Sequence, residues 1–161
     1  MSTELTPIQE RLRQLLIEER AKKADPARPF AATISYMELC AAVDPDQRYF
    51  SKPRFRGIGP ALRAVSLYEH AHGRPLPSAL VVRHVGRRPG TGFTPVAVDT
   101  GREVRPGQEH AVWRDEVERV VRYWTGPGKD QAEADPAERA LALLATIAGE
   151  LEKARRLLGA A

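Results

Sequence analysis

Apolar positions recur at helical spacing along most of this chain and crowd into a strand-like run in one short stretch only. Near the start, Ile8, Leu12, Leu15 and Leu16 repeat every three or four residues up to Lys23. Thr6 has the side chain of an N-cap and Pro7 suits the first helical position, so a helix is predicted over 6–23. Asp25-Pro26-Ala27-Arg28-Pro29 breaks it. Ser35-x-x-Glu38 has the form of a capping box and opens a second helix, through Leu39 and Val43 to a stop at Asp44-Pro45. A polar turn from Asp46 to Pro53 leads to a third helix, where Ile58, Leu62, Val65 and Tyr68 share a side and Gly73 is the stop. Trp113, Val117, Val120 and Trp124 form one stripe on a fourth, from about Gln108 to Trp124, ended by Gly126-Pro127-Gly128. A last helix starts near Asp135 and carries Leu141, Leu144, Ile147, Leu151 and Leu158 on roughly one face.

The strand-like run is Ala79-Leu80-Val81-Val82. Gly86-Arg87-Arg88-Pro89-Gly90-Thr91-Gly92 cannot continue it, and Phe93 to Val98 is expected to return as a second strand, which makes a hairpin with a basic, Gly-rich tip. A Gly-x-Gly that opened a helix would suggest a phosphate loop, but Thr94-Pro95 follows here. Two helices joined by a turn, then a hairpin, give the expected fold class: mainly α with a small β-hairpin, a winged helix-turn-helix. Residues 1–30 form an N-terminal helix and linker, 31–107 the winged domain, and 108–161 helices that pack on it or on a partner. A chain of 161 residues, 42% apolar, has the material for one such domain with flanking helices.

Charge adds a direction to this picture. Of the chain's 25 basic and 21 acidic residues, eight and one fall between Ser51 and Gly90, so that the remainder is net acidic. The eight are Lys52, Arg54, Arg56, Arg63, Arg74, Arg83, Arg87 and Arg88, against Glu69 alone. A basic segment in which arginine dominates suits phosphate and base-edge contacts. No run of about 18 apolar residues exists, which argues against a membrane span. The first residues, Met1-Ser2-Thr3-Glu4, lack the pattern of a signal peptide. A lone cysteine, Cys40, forms no internal disulfide and is expected to be a small apolar core residue, consistent with a cytoplasmic location.

Three blocks in fixed order carry a resemblance. Ile34-Ser35-Tyr36-Met37-Glu38-Leu39, Arg56-Gly57-Ile58-Gly59-Pro60-Ala61-Leu62, and Pro77-Ser78-Ala79-Leu80-Val81-Val82 with the glycines that follow resemble the winged-helix domain of alkylguanine-DNA alkyltransferases and alkyltransferase-like proteins. Those proteins read ISY-x-x-L, R-A-V-G-x-A-L and P-C-H-R-V-V. The resemblance covers roughly the middle third of the chain. It implies that Arg56 enters a vacated base stack, that Tyr36 contacts a backbone phosphate, and that the helix face near Gly57, Gly59 and Ala61 approaches the minor groove, where bulky side chains would not fit.

The same blocks lack the chemistry. Where the family has Cys-His-Arg, this chain has Ser78, Ala79 and Leu80, so nucleophile and base are both missing and alkyl transfer is excluded. His70, His72, His84 and His110 do not fall at metal-ligand spacing, and Asp115, Glu116 and Glu118 read as a solvated helix face. No cofactor is expected. The chain is therefore expected to be a non-enzymatic binder of double-stranded DNA through Tyr36, Lys52, Arg54, Arg56, Gly57, Gly59, Arg63, Arg83, Arg87 and Arg88. Its biological role stays open between a regulator, a defence accessory and a damage sensor. The alternative is a protein-interaction module that uses Trp113, Trp124 and the Leu-rich last helix for a homodimer or another protein.

Overall fold

A computed structural model describes residues 4–126 and the helix 136–159, with side chains in that helix described from Leu143 onward. The expected stop at Pro127-Gly128, the helix start at Asp135 and the side chain of Leu141 lie outside the described residues. The chain divides into two compact units between residues 129 and 130.

The first unit is mainly helical. Helix α1 (Pro7–Gln14) is opened by Thr6 and Gln9, which cap each other reciprocally. Its continuation, Leu15–Ala21, is π-helical. The wider turn rotates the apolar face by about one residue, so Ile17 is buried beside Leu16 while Leu15 is only half-buried. Strand β1 (Ile34–Ser35) runs directly into α2 (Tyr36–Val43), whose start is the capping box expected from Ser35 and Glu38. Helix α3 (Ile58–Ala71) buries Ile58, Ala61, Leu62, Val65, Ser66 and Glu69. A 3-10 turn (Pro77–Leu80) delivers β2 (Val81–Val82), and helices α4 (Phe93–Asp99) and α5 (Glu109–Thr125) complete the unit. Helix α6 (Pro136–Gly159) belongs to the second unit.

The β element differs from expectation. Strands β1 and β2 pair in parallel, Ile34 with Val81 and Ser35 with Val82, joined through α2 and α3. Parallel pairing needs such a long crossover, whereas a hairpin would be antiparallel. Ala79 and Leu80 lie in the 3-10 turn and not in the strand. The expected second strand over Phe93 to Val98 is instead α4, with Phe93, Val96 and Ala97 buried at helical spacing. Pro95 falls in its first turn, where the missing N–H costs no hydrogen bond. A short apolar run rich in β-branched residues leaves helix and strand undivided by periodicity.

The tryptophan stripe of α5 packs inward: Trp113 and Trp124 are 4% and 1% exposed. Trp113 Nε1 donates to the carbonyl of Ala79 at 2.8 Å, which ties α5 to the 3-10 turn. Cys40 is buried, and its burial beside Asp44 pushes the thiol up to about 11.

Two buried carboxylates brace the segment between α3 and β2. Glu69, fully buried on α3, accepts from Arg13 Nε at 2.5 Å and from Arg74 Nε at 2.6 Å. Glu116, 3% exposed on α5, accepts from the backbone N–H of Leu76 at 2.8 Å and from Arg102 Nε at 3.0 Å. The solvated role expected for Glu116 is thus wrong. The alternating charges of α5 hid a residue that shares the inward side with Trp113, Val117 and Val120. Removing one partner of a buried ion pair leaves uncompensated charge, so Glu69→Gln is expected to lower unfolding stability by about 3–5 kcal/mol. Glu19→Gln, which breaks an exposed pair with Lys23, should change it by less than about 0.5 kcal/mol. Urea unfolding of both variants measures the contrast.

Candidate nucleic-acid interface

The connection from α2 to α3 is longer than a tight helix-turn-helix turn, and Asp44 organises it. Its carboxylate accepts three backbone N–H bonds, from Arg48 at 2.9 Å, Tyr49 at 2.9 Å and Phe50 at 2.8 Å. Phe50 is buried beneath, and an antiparallel bridge between Ser51 and Arg56 closes the tip. Lys52, Arg54 and Arg56 are all exposed on that tip. Gly57 follows with φ +92°, a left-handed conformation that brings the chain into α3 and that a side chain would strain.

Gly59 has a different reason to be small. It is exposed in the first turn of α3, and a Cβ built on it would meet nothing within 4 Å. Helix packing explains Ala61, which is 6% exposed, but not Gly59.

The second basic loop, 83–92, follows β2. It is closed by Arg83 N–H donating to the Arg88 carbonyl at 2.8 Å and by a bridge between Val82 and Pro89. Arg87, at φ +47°, turns back and donates to the carbonyl of Thr33 at 3.0 Å and its hydroxyl at 2.9 Å, with Glu38 3.7 Å away. Gly90 lies against Tyr36 so closely that a Cβ there would overlap the phenol oxygen. Burial raises the Tyr36 pKa, and the charge of Arg83 and the Gly90 backbone N–H only partly counter it. The Tyr36 hydroxyl expected to meet a phosphate is thus turned onto the loop.

The structure sorts the expected cations. Arg74 belongs to the buried Glu69 network, Arg63 pairs with Asp99 of α4 at 2.6 Å, and Arg87 is engaged as above. Lys52, Arg54, Arg56, Arg83 and Arg88 are exposed and make no ion pair among the described residues. The sequence charge count could not separate these groups, because a paired and an unpaired arginine read alike. His84, also exposed on the second loop, was not among the expected residues.

At the three positions where the resemblance would call for cysteine, histidine and arginine, Ser78 is buried and accepts from the Ser66 hydroxyl at 2.7 Å, while Ala79 and Leu80 are fully enclosed. The Ser78 backbone N–H donates back to Ser66 Oγ at 3.3 Å, so these residues knit the 3-10 turn to α3. Among the described residues, no group of three His, Cys, Asp or Glu side chains could hold a metal ion, and no helix is long and apolar enough to cross a membrane. Comparison with family models, curated proteins and solved structures gives no match.

The Asp44 carboxyl gives the first loop a pH dependence. Burial raises its pKa, but the three backbone bonds outweigh this and hold it below its usual value of 3.8. A depressed folded-state value means that the stabilisation is complete above pH about 4 and is lost as pH falls through the folded value. Asp44→Asn should therefore be less stable than the wild type at neutral pH, with the gap closing below pH about 4, as followed by urea unfolding across pH.

Proposed function

We propose that the chain is a non-catalytic, double-stranded DNA-binding protein of winged-helix type, acting in the cytoplasm. The observation that carries this reading is the set of five exposed cations without ion-pair partners among the described residues, Lys52, Arg54, Arg56, Arg83 and Arg88, on two loops. One loop leads into α3; the other packs on the start of α2 through Gly90 and Arg87. Exposed guanidinium groups without carboxylate partners are free to replace the counterions of a phosphate backbone. Arg63 and Arg74 of the same basic segment, by contrast, have carboxylate partners.

Gly59 supports the same reading. With no internal neighbour to exclude a side chain, its smallness suits the approach of an external surface, and the resemblance to the alkyltransferase module places that surface at the minor groove. Arg56, at the tip before α3, is the residue that resemblance assigns to the base stack. The loop 83–92 takes the place of the wing, closed by a single antiparallel bridge between Val82 and Pro89 in place of a two-stranded hairpin. The buried tryptophans weigh against the alternative in which Trp113 and Trp124 receive a protein partner.

Gly59→Leu separates binding from folding. Leucine is a better helix former than glycine by up to about 1 kcal/mol, so the variant should be as stable as the wild type or more so. Its affinity for a labelled duplex should nonetheless fall at least about tenfold, or 1.4 kcal/mol. Unchanged affinity would move the interface away from α3. Replacing Arg83 and Arg88 together by alanine should weaken binding to all duplexes alike and reduce the salt slope by up to about two units.

A further inference from the structure

The apolar face of α6 takes no part in the proposed DNA interface. Leu144, Ile147, Leu151 and Leu158 are 61%, 48%, 66% and 81% exposed. Leu144, Leu151 and Leu158 repeat every seven residues, and Ile147 with Ala154 follows the same period between them. This is a two-position heptad seam without a polar residue, from Leu144 to Leu158. In this register the other charged side chains of the segment, Glu152, Lys153 and Arg156, fall on the outer side, and only Glu150 and Arg155 flank the seam. Glu150 pairs with Lys153 at 2.8 Å, and Arg155 makes no ion pair among the described residues.

The placement of those two charges selects the occupant. We propose that α6 pairs with α6 of a second copy of this chain as a parallel, in-register coiled coil. In that arrangement the residue before one seam position faces the residue five places later on the other helix, so Glu150 meets the partner's Arg155, twice by symmetry. Leu143 meets the partner's Ala148 by the same rule and widens the apolar seam. An antiparallel pair centred on the same stripe brings Glu150 towards the partner's Glu150 and gives Arg155 no acid, so like charges disfavour it. A second copy in parallel therefore supplies a complementary charge for each of the two charged residues that flank the seam. The inference rests on α6 alone and is independent of the DNA-binding reading.

Sedimentation equilibrium of the full chain tests it. The expected result is a monomer-dimer equilibrium that shifts to dimer as concentration rises, and that Leu151→Glu abolishes while the circular dichroism of the rest of the chain is kept. Glu150→Arg should weaken dimerisation by about tenfold, and Glu150→Arg with Arg155→Glu should restore it. Ala154→Cys should give a covalent dimer under mild oxidation, because parallel pairing sets residue 154 beside its own copy; the wild type, whose one thiol is buried Cys40, should not. A monomer at all concentrations, a dimer insensitive to Leu151→Glu, or an Ala154→Cys variant that dimerises yet stays uncrosslinked would each overturn the proposal.

Discussion

The turn between α3 and β2 is held by two carboxylates that have almost no access to water, and the placement of the second basic loop depends on them. Glu69 gathers Arg13 from α1 and Arg74 from the turn, while Glu116 on α5 holds the Leu76 backbone and Arg102. Desolvating such groups costs several kcal/mol each, which is tolerable only when every oxygen is engaged. Here α1, α3 and α5 each contribute a partner. With Arg74 to Leu76 fixed from both sides, the 3-10 turn is directed under α5, β2 meets β1, and loop 83–92 emerges beside the start of α2.

The segment from Ser78 to Leu80 is a packing element: Ser78 bonds Ser66, Ala79 accepts from Trp113, and Leu80 is enclosed. All three are buried, whereas the cations of the two basic loops and Gly59 in the first turn of α3 are exposed. The arginines divide along the same line. Some brace the fold through carboxylates, and others project into solvent.

Much of the helical scaffold was legible, because helix signals are local. Thr6, Ser35 with Glu38, and the stripe from Trp113 to Trp124 each determine their elements within a few residues. The β element was not, since parallel pairing between residues 34–35 and 81–82 depends on a crossover that no local pattern reveals. Phe93 to Val98 misled for a related reason: six residues are too few to tell a strand from a helical turn. Glu116 and Arg74 look like ordinary surface charges until the folded chain supplies their partners. The basic segment itself was visible in composition, but which of its arginines stay free is a tertiary property.

The most direct measurement is the salt dependence of wild-type affinity for a labelled duplex of about 20 base pairs, read by fluorescence anisotropy. If the five exposed loop cations each displace a condensed counterion, the logarithm of the association constant should fall with the logarithm of salt concentration at a slope of about −4 to −5. A slope near zero, or no binding even at low salt, would contradict the account, because the exposed cations would then serve no polyanion.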